Sequence, residues 1–433
     1  MKKSILFLAA ALGLTLCACS REIPAETLAV PAEDGVVLEV VTSYGGDDGN
    51  RRNFERAVRE FERETGNGVW DRSSVSNEEW KNKVLADFMT GSEPDVLFYF
   101  ADADADPFIN AGRVVSVEEI RTLYPDYGTN IKESVLITAQ DGKHYALPSN
   151  GYWESLFANK KVLEACGIEL PDAAYTWQDF LEDCAIIKSK GYTPIACSLF
   201  EIPHYWFEFM VMNNGSVYNH LEVPRVDERG SLIMDETAKK WIAGLEDLKS
   251  LYMAGYFPKN TLAATDRETV AMFAQGEAAF LLDGSWKVGY FEENFPQQLG
   301  DYAVTFVPGK GNRMASEAIG GISMGYFITR KAWEDPQKQE AAVQFVSYMT
   351  SDEVLSSFST TEGTGLATGN LPAGTNPLQQ SASDAFYHVS QMSTAVQDAI
   401  SSDAKRDLFS NIHKVVTGEM SAKDAVESAM KLN

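Results

Sequence analysis

Apolar positions along this chain follow two spacings that alternate from one end to the other. Val36 to Thr42 is a β-branched apolar run and predicts a buried strand. A polar loop, Ser43 to Asn50, follows it. Phe54, Ala57, Val58 and Phe61 then recur at i, i+3, i+4 and i+7, which predicts a helix closed by Gly66. The next segment, VWDRSSVS, is only weakly strand-like. Ser76 and Glu79 have capping-box spacing ahead of a helix bearing Trp80, Val84 and Phe88, and Gly91 ends it. Asp95 to Phe100 is again a short apolar run, with Asp102 just beyond its end. Strands alternating with helices in this way predict an α/β sheet.

The same alternation continues. Gly142 to Pro148 leads into SNGYW and a long apolar stretch, LFANKKVLEACGIELP. Thr176 to Phe180 reads as a capped helix start with Trp177 as a packing residue, and Pro194 to Leu199 reads as a strand. Asp235 is placed to cap a helix carrying Ala238, Trp241, Ile242, Leu245 and Leu248. Asp301 to Val307 is a strand ended by Pro308-Gly309. Asp335-Pro336 supplies a cap and a first-turn proline before Ala341, Ala342, Phe345, Val346 and Met349. Residues 359–375 are rich in Gly and Thr, and Ser421 with Asp424 opens a last helix.

Residues 273–286, FAQGEAAFLLDGSW, carry the most chemistry in the least sequence. Val270 and Phe273 end a short helix, Gly276 stops it, and Ala278 to Leu282 form one buried strand. Asp283-Gly284 reads as a turn that leaves Ser285 and Trp286 past the strand's carboxyl end. Open α/β sheets bind ligands there. An indole beside a carboxylate and a hydroxyl suits a sugar, whose C–H face stacks on the ring while Asp283 and Ser285 reach its hydroxyls. The alternative makes Trp286 a hinge or core aromatic.

The first residues change the compartment. Lys2 and Lys3 precede a 12-residue apolar run, Ile5 to Leu16, too short to span a bilayer and suited to a secretion signal. Leu16-Cys17-Ala18-Cys19 resembles a bacterial lipobox, with Cys19 as the lipidated residue. Residues 19–35 then read as a lipidated tether from the membrane. The chain has 433 residues and a formal charge of −25, which cleavage before Cys19 takes to −27. That charge and the lack of a dense Lys/Arg run argue against nucleic acid. Cys166, Cys184 and Cys197 lie in apolar settings and read as buried free thiols, with one pair left open. No Cys/His spacing suggests zinc. Asp102, Asp104 and Asp106 alternate like a calcium loop, but Pro107 and Arg113 stand where that loop needs Gly and Glu.

Several of these segments, in this order, resemble extracellular solute-binding proteins of carbohydrate ABC importers, the maltose-binding-protein-like family 1. The matching segments are F-x-x-G-x-A-A to G-S-W at 273–286, Pro94-Asp95 opening a strand, and Gly142-Lys143-His144-Tyr145-Ala146-Leu147-Pro148. Asn159-Lys160 also matches, with Ala158 where the family has Tyr, as do the Asp335-Pro336 helix and the C-terminal cap. The resemblance implies an α/β, two-lobed periplasmic-binding-protein-like fold with discontinuous lobes and a hinged interlobe cleft. Residues 36–148 and 323–372 would form the N-terminal lobe, and 149–322 and 373–433 the C-terminal lobe, after a signal peptide at 1–18. Cleft contacts would come from Tyr44 and Asp48 in the first loop, Asp102, and the crossing residues Asn150, Tyr152 and Trp153. Further contacts would be Glu201, His204 and Trp206, with Trp206 as a second stacking platform, then Asp283, Trp286 and Gly321. Which of His204, Tyr205 and Trp206 faces the ligand stays open. Implied partners are a carbohydrate ligand, ABC permease transmembrane subunits and the extracytoplasmic face of the cell membrane through Cys19. The protein would be a monomer without catalytic residues, metal or cofactor.

Two other classes remain for comparison. One is a secreted glycosidase, since carboxylates are plentiful and their separation is not readable from sequence. HExxH does not occur, and Ser402 to Lys405 matches S-x-x-K without its usual companion motifs. The other is a surface adhesin or sensor with the same fold, or a receptor for another small solute. No Walker A sequence is present.

Overall fold

The structure is a computed structural model that describes residues 35–46, 48–149, 151–362 and 374–433. The signal peptide, Cys19, most of the tether and Asn150 lie outside the described residues.

In chain order the first half contains β1 (Val37–Val41), α1 (Arg51–Thr65), β2 (Gly68–Asp71), α2 (Glu78–Thr90), β3 (Val96–Phe100), α3 (Asp106–Asn110), α4 (Val117–Leu123) and β4 (Leu147–Pro148). Next come β5 (Tyr152–Asn159), α5 (Lys160–Cys166), α6 (Trp177–Ser189), β6 (Thr193–Ala196), α7 (His204–Asn213), α8 (Glu236–Met253), α9 (Asp266–Ala274), β7 (Ala278–Gly284), α10 (Lys287–Asn294), β8 (Tyr302–Thr305) and β9 (Glu317–Gly321). The chain closes with β10 (Met324–Ile328), α11 (Arg330–Glu334), α12 (Pro336–Met349), α13 (Asp352–Glu362), α14 (Pro377–Tyr387), β11 (Gln391–Ser393), α15 (Ser402–Thr417) and α16 (Ala422–Met430).

These strands form two sheets, as the two-lobed α/β reading expects. The first has the order β2-β1-β3-β10-β4, with β1 parallel to β2 and β3, and β10 antiparallel to β3. The second has the order β11-β9-β5-β7-β6, with β8 also on β5. Each sheet is therefore discontinuous in sequence. The chain leaves the first sheet after Pro148, enters the second at Tyr152, and returns between Gly321 and Met324.

Local chemistry explains most boundaries. Gly66 takes a left-handed φ of 74° and closes α1, whose Phe54, Ala57 and Phe61 are buried. Thr176 and Asp179 form a capping box on α6, and Asp335 caps α12 ahead of Pro336. Ser421 caps α16 through the Asp424 amide. The cap of α2 is one residue later than expected: Asn77 Oδ1 accepts from Trp80 N. The weakly strand-like segment does form a strand, β2, because its four residues pair in parallel with β1. Asp283-Gly284 is a correction of the opposite kind. Instead of turning, both residues continue β7, opposite Ser155 and Glu154 of β5.

Each lobe has its own core. Phe54, Phe61, Phe98, Tyr326 and Phe345 pack in the first lobe, and Phe61 meets Phe345 edge-on at 5.1 Å. The second core is larger and includes Phe157, Phe180, Trp206, Trp241, Phe273 and Phe291. Cys166, Cys184 and Cys197 are buried and free.

Candidate ligand-binding cleft

The end of β7 sets the geometry. A Cβ on Gly284 would fall 2.1–2.4 Å from the Trp286 ring, so glycine is what lets the indole fold back over the strand end. Trp286 then precedes α10 with its ring half-buried. Tyr152, at the start of β5, stands 6.0 Å from it, and Tyr205, in the first turn of α7, stands 6.3 Å away. β5 runs antiparallel to β7 and β6 runs parallel to it, so the three rings share one end of the sheet.

The first lobe meets this end directly. A Cβ on Gly49 would come within 2.7 Å of the Trp286 carbonyl oxygen and 2.8 Å of the Tyr290 nitrogen. Beside this contact is an interlobe cavity of about 380 Å³, a size typical of small-ligand sites. Arg52, Asn53 and Arg56 line it from α1, and Glu292, Glu293 and Gln379 from the second lobe. Arg52 pairs with Glu293 across the gap at 3.2 Å.

A second interlobe region lies around Asp102 and Asp104, past the end of β3. Asp104 accepts from Lys81 Nζ at 3.1 Å and from Ser402 Oγ of the other lobe at 2.7 Å. Lys405 Nζ lies 4.0 Å from the same carboxylate. Burial, then Lys405, act on Asp104; the net effect holds its carboxyl below the usual range. Asp102 is raised, with burial as the largest cause and the neighbouring Asp104 charge adding to it.

Under the aromatic rings the second lobe buries further carboxyls. Glu154 and Glu208 face one another, from β5 and α7, and Asp398 lies nearby. Burial pushes Glu154 up to about 8 and Asp398 up to about 7, and raises Glu208 well above its ordinary value. Asp283 is likewise pushed up to about 7 by burial, offset by Lys287, whose Nζ is 3.5 Å away. His204 is held down to about 3, by burial first and by Lys81 and Lys405 next. Its ring stacks on Phe409 at 4.5 Å.

The expected contacts divide in two. Tyr152 lies beside Trp286 and in the field of Asp102, and His204 lies against Tyr205. Asp283 is corrected to a buried position: it is 1% exposed, opposite Ser155 and beside Lys287. Gly321 ends β9 opposite Tyr152, and Asp48 lies in the first loop, its Oδ1 accepting from Asn50 N. Trp206 is corrected to a core position: it is 2% exposed and stacks on Phe180 at 5.3 Å. Consecutive helix residues point about 100° apart, so the α7 helix that turns Tyr205 toward Trp286 turns Trp206 inward. Trp153 is corrected on the same ground, being 1% exposed and packed edge-on against Phe386, because neighbours on a strand face opposite sides. Tyr44 is packed among Phe54, Phe98 and Phe358. Glu201 points to α9, where it accepts from the Asp266 nitrogen at 2.7 Å.

Sequence reasoning missed Glu154, Glu208, Asp398 and the Asp104–Ser402 contact. Glu154 carried a signal, as a carboxylate in an apolar strand two residues after Tyr152. Glu208 follows His204 by four residues, one helical turn. Asp398 and Ser402 carried none. Ser402 and Lys405 of the S-x-x-K match both turn toward Asp104, and are an interlobe contact.

Residues 48–355 match the family described as bacterial extracellular solute-binding protein. The chain belongs to this family. It is a solute-binding protein, not an enzyme. A maltooligosaccharide ABC transporter solute-binding lipoprotein of Streptococcus pneumoniae serotype 4 is 24% identical over 450 residues, covering 97% of this chain and 93% of the relative. An uncharacterized ABC transporter extracellular-binding protein of Pyrococcus horikoshii is 24% identical over 271 residues, which span 60% of this chain and 58% of the relative. Among solved structures, a chitin oligosaccharide binding protein superposes with a TM-score of 0.76 at 20% identity, covering 92% of this chain and 98% of the other. RafE in complex with raffinose gives 0.72 at 19% identity, covering 92% and 99%. At these identities the structural likeness establishes the fold of the solute-binding protein.

Proposed function

We propose that this solute-binding protein captures a sugar or oligosaccharide between its lobes and delivers it to the membrane subunits of an ABC importer. The observation that carries the reading is the triplet Tyr152, Tyr205 and Trp286, gathered at one end of the second sheet. Flat rings stack on the C–H faces of sugars, while Asp102, whose field reaches Tyr152, suits hydroxyls. The relatives named above for maltooligosaccharide, chitin oligosaccharide and raffinose support the same class. The lobes, divided at 148/149, 322/323 and 372/373, close over the ligand by bending at the crossings. Cys19, lipidated after cleavage, holds the monomer at the extracytoplasmic face of the bacterial cell membrane.

A thermal-shift screen of the full-length protein against mono- and oligosaccharides, amino acids and polyamines tests this. A ligand at 100 times its Kd adds about 2.7 kcal/mol of stability. Stabilisation by a saccharide that is recovered unchanged supports the reading. Stabilisation by amino acids alone removes it.

A further inference from the structure

Beneath the aromatic layer is a group of buried oxygens whose neighbouring polar groups are one another: Glu154 and Glu208 interact, and Gln397 acts on Glu208. Glu154 reaches it from β5, two residues past Tyr152 and on the same strand face. Glu208 reaches it from α7, one turn after His204, and Gln397 from the segment ahead of α15. Glu154 is 3% exposed, Glu208 is fully buried, and Gln397 is nearly so. Glu154 Oε2, both carboxyl oxygens of Glu208 and Gln397 Oε1 accept no hydrogen bond. His204 Nε2 stops 3.8 Å from Glu208 Oε1. Lys81 and Lys405 turn to Asp104 instead.

The group belongs to the cleft. The Tyr152 phenol lies in the field of Asp398, Glu154 and Glu208 from its own lobe and of Asp102 from the other. Its oxygens are acceptors, and they become negative once the buried carboxyls release the protons that burial makes them hold. A sugar hydroxyl brings an acceptor with every donor, whereas an ammonium brings three donors, no acceptor and a positive charge. Hydrogen bonds between ionised partners are about twice as strong as neutral ones. A metal ion fits poorly, since among the described residues no three His, Cys, Asp or Glu side chains converge to hold one.

We propose that the ligand of this cleft carries an ammonium group, seated against Glu154, Glu208 and Gln397 with Asp398 and Asp102 alongside. The inference rests on the saccharide reading for the body of the ligand, which makes the ligand an amine-bearing sugar whose rings lie on Tyr205 and Trp286. The raised carboxyls of Glu154 and Asp398 agree with it, because a bound cation is what allows buried carboxyls to ionise.

Calorimetry of the full-length protein with four probes tests the proposal: a β-1,4-linked glucosamine disaccharide, its N-acetylated form, cellobiose and spermidine. The free-amine disaccharide is expected to bind about tenfold tighter than the other two sugars, and Glu208→Gln and Glu154→Gln to narrow that ratio to about threefold or less. The wild-type comparison stands whether or not either variant folds. Neutral disaccharides that bind as well as the amine overturn the ammonium seat and leave the saccharide function standing. Binding of spermidine with no sugar bound keeps the seat and overturns the saccharide function. Failure of both amine probes to bind overturns the inference.

Discussion

Asp104 and Ser402 join the two lobes: Ser402 Oγ donates to Asp104 Oδ1 at 2.7 Å, although 298 residues separate them. Asp104 stands just past β3 of the first sheet, and Ser402 begins α15 of the second lobe. Lys81 from its own lobe and Lys405 from the other hold the same carboxylate. The Ser402 and Lys405 parts of this contact exist only when the lobes are together.

Asp104→Ala is expected to shift the population toward an open form. A hydrogen bond to a charged group contributes about 1.5–3 kcal/mol, so ligand affinity should fall roughly tenfold or more. Small-angle scattering without ligand would report a larger radius of gyration than wild type. An unchanged scattering profile would mean that the contact does not govern closure.

Gly49 gives a steric version of the same test. Its Cβ would press on the backbone of Trp286 and Tyr290, which belong to the opposite lobe. Gly49→Ala should therefore obstruct the closed arrangement while leaving each lobe folded. Weaker ligand binding at an unchanged melting temperature is the expected pair of results. A variant that binds normally would show that the loop shifts without cost.

Two tryptophans should separate binding from stability. Trp286→Ala is expected to cost ligand affinity by about 1–3 kcal/mol, by analogy with aromatic stacking on other flat ligands, and Tyr205→Ala should act in the same direction. Trp206→Ala should instead destabilise the second lobe by about 3–5 kcal/mol, since it removes a buried ring from Phe180. Titration and thermal melts on the three variants check the assignment. It fails if Trp286→Ala lowers the melting point and leaves affinity alone.

The buried carboxyls make stability depend on pH. Glu154 sits at about 8 against an ordinary 4.5, and Asp283 and Asp398 at about 7 against 3.8, with burial the first cause for each. Between those limits the folded protein holds protons that the unfolded chain has released, so this part of the stability is lost as pH rises from about 5 through 8. His204 acts in the opposite sense lower down. Its folded value of about 3 lies below the ordinary 6.5, so stability rises with pH across that window. Tyr152, Asp102, Lys81, Lys405 and Lys287 face these groups and share their field. The melting temperature should peak near about pH 5–6 and fall toward pH 9, with about 2–4 °C for each kcal/mol lost in a domain of 150–250 residues. Glu154→Gln should flatten the alkaline limb. A melting temperature that climbs from pH 6 to pH 9 would contradict these proton assignments.

Much of the fold was legible because its signals are local. The Phe54, Ala57 and Phe61 repeat, the Thr176 and Asp335 caps and the apolar run at 278–282 each act within a turn or two of chain. Asp283-Gly284 was misread as a turn because its residue types favour one. The β5 ladder held it in the strand, and that ladder is non-local. Tyr152 and Trp286 were legible as strand-end residues, and the structure sets their rings 6.0 Å apart at one end of the second sheet. The burial of Trp206 and Trp153 was not legible, since one step along a helix or strand turns a ring from cleft to core.

The sequence by itself determined the order of strands and helices, the caps that bound them, and the resemblance to the family. Periodicity, capping and turn chemistry are short-range, and one chain contains them in full. Only the tertiary structure decided which face each aromatic presents, that Asp104 meets Ser402, and that Glu154, Glu208 and Asp398 lie together out of water. Those relations join residues tens to hundreds of positions apart. Their energies depend on burial and on distances of a few ångströms, which no local pattern of residues carries.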